Sequence, residues 1–239
     1  MAETDNGGAW RRIPLGEGRP ALPDAFALAF DTDAFDPSDF LRHGVTPPPS
    51  ITRSVPKRQA EYIAGRRVAL AALKAAGSDA TDIAIAPDRA PAWPRGFLGS
   101  LSHTDDLAVA VAVRAGGDLS GIGIDIERQI APAVLESVRE LVIDRGERDS
   151  LARAAASLGW PVVLTLAFSA KESFYKATAA SVGRFFDFAA LRILALSPEA
   201  RVIEAEVAAP LSARFDVGRR VTLSWTPLDE RTWLTSFAW

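Results

Sequence analysis

Gly121-Ile122-Gly123-Ile124-Asp125-Ile126-Glu127 is the stretch on which the reading of this chain turns. Side chains of a strand alternate between its two faces. Ile122, Ile124 and Ile126 therefore form one apolar face, and Gly121, Gly123, Asp125 and Glu127 form the other. By strand rise the two carboxylates stand roughly 7 Å apart. The glycines leave their face bare just ahead of the acids, which is room for a bulky ligand to approach the backbone. Two acids on one face repel unless a cation or a base lies between them. With only oxygen donors on offer, the natural cation is Mg2+. The other reading of the same pattern is an edge strand whose polar face meets water.

Working outward, the residues before this strand read as a helix followed by a sheet. Ser54 serves as a plausible N-cap and Pro56 sits in the first turn of an Ala/Leu-rich helix that runs to Ala76 and stops at Gly77. A short strand is expected near Ile83, a loop through Pro91 and Pro94, and a strand region over Phe97–Val113, where Leu107, Val109, Val111 and Val113 share a face. Residues 1–50, rich in Pro, Asp and Gly, read as a wrapping segment with short elements. After the acidic strand the pattern predicts helix around Val134–Leu158. An apolar stretch over Val162–Phe168 then leads to a helix over about Ala170–Ala180, and strands follow at 188–196, 201–207 and 220–226. Ser100-Leu101-Ser102-His103-Thr104 is echoed by Thr222-Leu223-Ser224-Trp225-Thr226, and a helix with an early Lys, Lys57 or Lys171, precedes each. That is a faint sign of a duplicated helix-plus-sheet unit, with His103 standing where the other copy has Trp225.

A second acid lies in Phe168-Ser169-Ala170-Lys171-Glu172-Ser173-Phe174-Tyr175-Lys176. Ser169 and Glu172 have the spacing of a capping box, and Glu172 and Lys176 that of a helical ion pair, so purely structural roles are open. The functional reading joins Glu172 to Asp125 as metal ligand or base and turns Lys176 towards phosphate. Lys171 lies about 100° around the helix and need not share that task. Basic groups cluster upstream. Arg53, Lys57, Arg58, Arg66, Arg67 and Lys74 face the single acid Glu61. Arg58 and Arg66, eight residues apart, can share a face and offer rigid donor forks to a phosphate-bearing ligand, with plain solvation as the alternative. His103 stands among small residues at a strand entrance, where a side chain can touch a ligand, whereas His43 has no supporting pattern.

The whole chain narrows the choice of function. Its 239 residues suffice for one large or two smaller domains. A net charge of −3 gives no overall pull towards nucleic acid or an anionic membrane. The absence of cysteine removes disulfides, thiolate nucleophiles and sulfur-bound zinc. Met1–Gly8 has no basic and apolar leader, and no run is apolar enough for a membrane span. A cytoplasmic location is expected, although a chain without cysteine would also suit secretion. No Walker-type or Gly-x-Gly-x-x-Gly loop is present.

Three blocks in order, Gly99-Ser100-Leu101-Ser102-His103, Gly123-Ile124-Asp125-Ile126-Glu127 and Phe168 to Ala177, occur with Lys57-Arg58-Gln59-Ala60-Glu61 to Arg66 and Arg89-Ala90-Pro91-Ala92-Trp93-Pro94. Together they resemble the 4′-phosphopantetheinyl transferase superfamily, in particular its monomeric enterobactin-synthetase-component-D type. The likeness runs from about Ser54 to Lys176. It implies an α+β fold of two similar helix-plus-antiparallel-sheet halves related by pseudo-twofold symmetry, with the active site in the cleft between them. The halves are expected at 1–118, with the wrapping segment and nucleotide-binding groups, and 119–239, with the metal and catalytic groups. The resemblance implies Mg2+ on Asp125, Glu127 and Glu172, and Glu172 as the general base or its organiser. It places Lys176 on the pyrophosphate of coenzyme A, and Arg58, Arg66 and His103 on the phosphates of its adenosine part. The partner implied is an apo-acyl or peptidyl carrier protein, the pathway siderophore or other secondary metabolism, and the state a monomer that binds no nucleic acid. A lysine found in some relatives before the Trp-Pro step has no counterpart in Ile83–Arg89, so Arg89 takes that contact or it is absent.

Overall fold

The computed structural model describes residues 3–5, 8–15, 22–86 and 89–239. They form two compact units. The first comprises the described residues up to 14 and those of 23–120; the second comprises 121–239 together with Leu15 and Leu22. Residues 16–21 of the expected wrapping segment, and residues 87 and 88 ahead of Arg89, lie outside the described residues.

In the first unit a five-stranded sheet has the order β1-β2-β3-β7-β6, with β1 at Glu3–Asp5, β2 at Gly8–Ile13, β3 at Ala25–Ala29, β6 at Phe97–His103 and β7 at Leu107–Arg114. Two short helices, α1 (Asp39–Arg42) and α2 (Pro49–Thr52), lead to the long α3 (Pro56–Ala75). A two-residue pair, β4 (Ala84–Ile85) with β5 (Pro91–Ala92), follows α3. Helix α3 starts with Pro56, whose missing N–H costs nothing at that position. The expected Ser54 cap is corrected. Val55 holds the cap position without a side-chain bond, and the Ser54 hydroxyl instead donates to the Ile51 carbonyl at 2.7 Å, closing α2. Gly77, at φ +83°, ends the helix as the sequence indicates. Val68, Ala69, Ala72 and Leu73 of α3 are buried with Ala108 and Ala110 of β7 in the core of this unit.

The second unit is built on a sheet of order β8-β12-β11-β10-β9. Its strands are β8 at Ile122–Arg128, β9 at Leu191–Ser197, β10 at Val202–Val207, β11 at Arg220–Pro227 and β12 at Thr232–Ala238. Strand β12, hydrogen-bonded along β8 with Asp125 opposite Thr235, has no counterpart among the elements expected from the sequence. The helical region splits into α4 (Leu135–Val142) and α5 (Arg145–Leu158). The break lies where Asp144 and Glu147 form a reciprocal capping box.

The second long helix, α6, spans Trp160–Val182 and so begins ten residues before the expected Ala170. Val163, Leu164, Leu166 and Ala167 are all buried, so the stretch lacks the one-sided periodicity of a surface helix. Ser169 and Glu172 consequently sit inside a helix and form no capping box. The Ser169 hydroxyl bonds the Asp125 carbonyl at 3.2 Å and the Thr235 hydroxyl at 2.8 Å instead. Phe174, fully buried, anchors α6 among Phe186, Phe215 and Phe237 with ring centroids 5.4–6.1 Å apart.

Each unit contains a strand, a long helix and a hairpin whose last strand pairs back with the first: β3, α3 and β6–β7 in one, β8, α6 and β11–β12 in the other. The two echoed pentapeptides fall at the first strands of these hairpins. The early lysines do not correspond, because Lys57 is an exposed partner of Asp105 whereas Lys171 is buried.

Helix α6 crosses β8 at Gly123 and meets Gly121 just before the strand begins. A Cβ on Gly123 would stand 2.7 Å from the Ala177 nitrogen and nearer still to the Ser173 carbonyl oxygen, and one on Gly121 would collide with the Ala177 carbonyl oxygen. The glycine face is therefore filled by a helix backbone, and the expectation that it lies open to a ligand is corrected. Gly123→Ala should cost about 3 kcal/mol, the upper end of overpacking, because no flexible side chain can yield. Urea unfolding checks this, and an unchanged midpoint would show that α6 does not rest on that strand.

Candidate active site

The close glycine contact brings acidic groups of two elements together. Asp125, on β8, is 3% exposed, and its Oδ1 accepts a hydrogen bond from Lys176 Nζ of α6 at 2.6 Å. Glu127, two residues on along β8, and Glu172, one turn before Lys176, flank that pair electrostatically. Burial pushes the Glu127 carboxyl up to about 7, the Asp125 and Glu172 charges add to the rise, and Lys176 opposes it. Glu172 is raised too, by burial and then by Asp125, again against Lys176. Three carboxylates thus share one ammonium, a set deficient in positive charge. Among the described residues no three His, Cys, Asp or Glu side chains already stand as a set that could hold a metal ion.

Lys171, one residue from Glu172, points elsewhere. Its Nζ is buried, 2.7 Å from Glu147 Oε1 and 2.6 Å from the Val142 carbonyl oxygen. Burial lowers its pKa against the pull of Glu147. The same Glu147 accepts the backbone N–H groups of Asp144 and Ile193 at 2.8 Å each. Removing one partner of such a buried pair typically costs about 3–5 kcal/mol, so this is a clamp joining α5, α6 and β9. Glu147 was not legible as a partner in the sequence, where 24 positions separate it from Lys171.

The first unit holds the expected basic groups. Arg58, in the first turn of α3, directs Nη1 at Glu61 Oε2 (3.2 Å) and at His103 Nε2 (3.3 Å), the latter on the last residue of β6. Arg66 is 4% exposed with its guanidinium 4.6 Å from the Tyr62 ring centroid, and its buried Nε has no acceptor among the described residues. Arg89 lies on the exposed turn between β4 and β5 at φ +71°. His43 stands apart from this group, in the wall of a groove with Trp10, Arg67 and Lys74. Glu61 is the site residue that sequence reasoning passed over. Its position three residues after Arg58 was the available signal.

Residues 47–113 match the family model for the 4′-phosphopantetheinyl transferase N-terminal domain, and residues 121–223 match that of the 4′-phosphopantetheinyl transferase superfamily. Enterobactin synthase component D of Escherichia coli (strain K12) is 35% identical over 147 residues, covering 60% of this chain and 68% of that protein. The chain belongs to the 4′-phosphopantetheinyl transferase superfamily. Enterobactin synthase component D of Salmonella typhi is 40% identical over 146 residues, 60% of this chain and 59% of that protein. The 4′-phosphopantetheinyl transferase Svp of Streptomyces mobaraensis is 34% identical over 163 residues, 67% and 63% respectively. The chain thus spans about three fifths of the length of the Salmonella relative.

The raised carboxyls have a sign that can be measured. Between 4.5 and about 7 the folded chain keeps a proton on Glu127 that the unfolded chain has lost, so stability falls as pH rises through that window. Glu172 contributes in the same direction. In metal-free buffer the thermal midpoint of the wild type should drop from about pH 5 to about pH 8 more steeply than that of Glu127→Gln. Identical slopes would show that Glu127 is not held above its ordinary range.

Proposed function

We propose that this chain transfers the 4′-phosphopantetheine arm of coenzyme A to a serine of an apo-carrier protein and releases 3′,5′-ADP. The observation that carries the reading is the group of three carboxylates and one lysine on β8 and α6, in a member of this superfamily. The donor set suits a hard cation, since it offers oxygen alone and lacks positive charge. Mg2+ commonly takes only one or two carboxylates beside substrate phosphates and water, so no closed protein cage is required. Asp125, Glu127 and Glu172 are the residues that would hold it, and the ion would supply charge neutralisation at the pyrophosphate.

In this reading the serine hydroxyl oxygen forms a bond to the β-phosphorus of coenzyme A as the bond to 3′,5′-ADP breaks. Glu172 takes the hydroxyl proton directly or orients the group that does, and its raised pKa makes it a stronger base than an ordinary carboxylate. Lys176 exchanges its bond with Asp125 for the pyrophosphate and stabilises the leaving phosphate. Arg58, His103 and Arg66 bind the phosphates of the adenosine part. The buried Arg66 Nε is a donor that an anionic ligand could satisfy. The reading includes the pseudo-twofold pairing of halves, the division at 1–118 and 119–239, and the monomeric state that the family resemblance implies. Among the described residues no helix is long and apolar enough to cross a membrane; a cytoplasmic location and service to siderophore or other secondary metabolism belong to the proposal.

Incubation with coenzyme A, Mg2+ and a panel of apo-carriers, read by mass, tests the activity. A binding module would modify no carrier, and a phosphohydrolase would release phosphate without one. Asp125→Ala should abolish Mg2+-dependent transfer while the chain stays folded. Lys176→Ala should lose about 2–4 kcal/mol of transition-state stabilisation, read as kcat. Near-normal turnover in either variant sinks the assigned role.

The carrier surface is proposed around Phe185. Of the three neighbouring aromatics, Phe186 is buried against Phe174 and Tyr175 and Phe188 packs on Phe168, while Phe185 is 77% exposed. Phe185 also lines a groove with Glu172 and Tyr175, beside the acidic group. Arg184 and Arg192 are poorly placed to steer an acidic carrier, because Arg184 bonds the Pro210 carbonyl and Arg192 faces Asp144 at 3.5 Å. Phe185→Ser should raise KM for the carrier about tenfold, as for a side chain worth more than 1 kcal/mol at an interface. KM for coenzyme A and the thermal midpoint should stay constant, and an unchanged carrier KM removes Phe185 from the surface.

A further inference from the structure

Glu61 carries no role in the proposed function, yet two of the groups assigned there to phosphate, Arg58 and His103, meet at its carboxylate. It lies one turn into α3 and is 8% exposed, a degree of burial that acids reach only with partners. Its Oε2 accepts from Arg58 Nη1 at 3.2 Å and stands 4.0 Å from His103 Nε2. The same Arg58 nitrogen is 3.3 Å from His103 Nε2. A guanidinium has donors and no acceptor, so at that contact the imidazole nitrogen must accept. On the other side of the ring, Nδ1 is 3.3 Å from the Thr104 carbonyl oxygen, which can only accept. Both contacts demand the same species: a neutral ring with its hydrogen on Nδ1 and a lone pair on Nε2.

A phosphate oxygen carries lone pairs of its own and needs a donor where this ring presents an acceptor. The charged groups around His103 set how the ring responds to such an anion. From α3 come Arg58 and Glu61, with Lys57 already bonded to Asp105 at 2.6 Å. From the turn after β6 come Asp105 and Asp106, the latter accepting from the Thr104 hydroxyl at 3.0 Å. The acids favour an imidazolium and Arg58 opposes it. An anion that draws the Arg58 guanidinium to itself removes the opposition.

We propose that Glu61 is a positioning residue that makes His103 a proton-taking phosphate ligand. When a phosphate arrives, Arg58 turns its Nη1 hydrogens from Nε2 to the anion. Nε2 takes one proton from solvent and donates it in a hydrogen bond to a phosphate oxygen. Glu61 stays beside the new imidazolium as its counter-charge. No covalent bond breaks apart from the one that supplies the solvent proton. The inference rests on the reading of Arg58 and His103 as phosphate-binding groups of the proposed transferase.

Calorimetric titration of 3′,5′-ADP into the full chain without Mg2+, in two buffers of different protonation enthalpy at about pH 8, counts the protons taken up. The wild type should take up close to one more proton per ligand than His103→Gln. Its Kd should weaken about tenfold per pH unit above neutrality, as linkage of one proton requires. Glu127 and Glu172 are present in both proteins, so their titration cancels in the difference. Glu61→Gln should bind about tenfold more weakly at pH 8 and recover as pH falls, since an opposite charge within about 4–6 Å is worth a pKa unit or more. Its thermal midpoint reports whether it folds, and His103→Gln keeps the test decisive if it does not. Equal proton uptake in wild type and His103→Gln, or a wild-type pH profile in folded Glu61→Gln, overturns this inference and leaves the transferase reading intact. No binding of 3′,5′-ADP to the wild type, or binding untouched by Arg58→Gln, overturns both.

Discussion

The contact of α6 with Gly123 of β8 and with Gly121 just before that strand is the constraint on which the candidate site depends. A helix packed on a sheet through ordinary side chains stands roughly 10 Å away, too far for a short aspartate side chain to meet a lysine across the interface without long reach. At Gly123 the separation collapses until the Ser173 and Ala177 backbones lie against the strand itself. That approach lets the Ser169 hydroxyl bond the Asp125 carbonyl, lets Ser173 and Thr235 share a hydrogen bond of 2.6 Å, and places Lys176 Nζ on Asp125. The buried hydroxyls satisfy polar groups that would otherwise be stranded between helix and strand. Asp125 is consequently held in a fixed place with little solvent.

Two neighbouring residues of α6 divide the buried clamp from the acidic group. Lys171 and Glu172 differ by about 100° around the helix, which is enough to send one into the clamp with Glu147 and the other to the acidic group. The clamp bonds Lys171 to Glu147 and to the last carbonyl of α4, and Glu147 to the first turn of α5 and the backbone of β9. With Lys171 bonded to two acceptors and Glu147 to three donors, this pair restrains the rotation of α6 about its own axis. The acids Glu127 and Glu172 are raised in pKa by burial and, after it, by the neighbouring Asp125 charge. A fold stores this electrostatic tension readily where a cation relieves it.

The strand–helix–hairpin arrangement recurs in both units with different contents. The hairpin of the first unit ends its leading strand on His103, 30% exposed and facing Arg58 and Glu61. The equivalent stretch of the second carries Trp225, which is buried in the core. Central placement in the sheet explains the difference. Strand β11 has neighbours on both sides, whereas β6 is the edge of its sheet and leaves its end residue accessible to polar partners.

Local sequence determined a good deal of this protein. Alternation along residues 121–127 put the isoleucines on one face and Gly123 with Asp125 on the other, and helical spacing put Glu172 and Lys176 on one side of α6. Pro56 and Gly77 bounded α3 through backbone rules that need no tertiary partner. The order of the motif blocks pointed to the superfamily. What local sequence left undecided was whatever depends on a partner distant in the chain. The glycine face looked open because nothing nearby in sequence says that a helix fifty residues later covers it. Residues 162–168 looked unlike helix because burial on all sides erases the periodicity that marks one. Ser169 looked like a cap because a hydroxyl three residues before a glutamate fits one, and only the continuous α6 gave it the Asp125 carbonyl instead. Charge behaves in the same way: the residue types of Asp125, Glu127 and Glu172 are written in the chain. Their raised carboxyls come from burial and from one another's fields, quantities that exist only once the chain has folded.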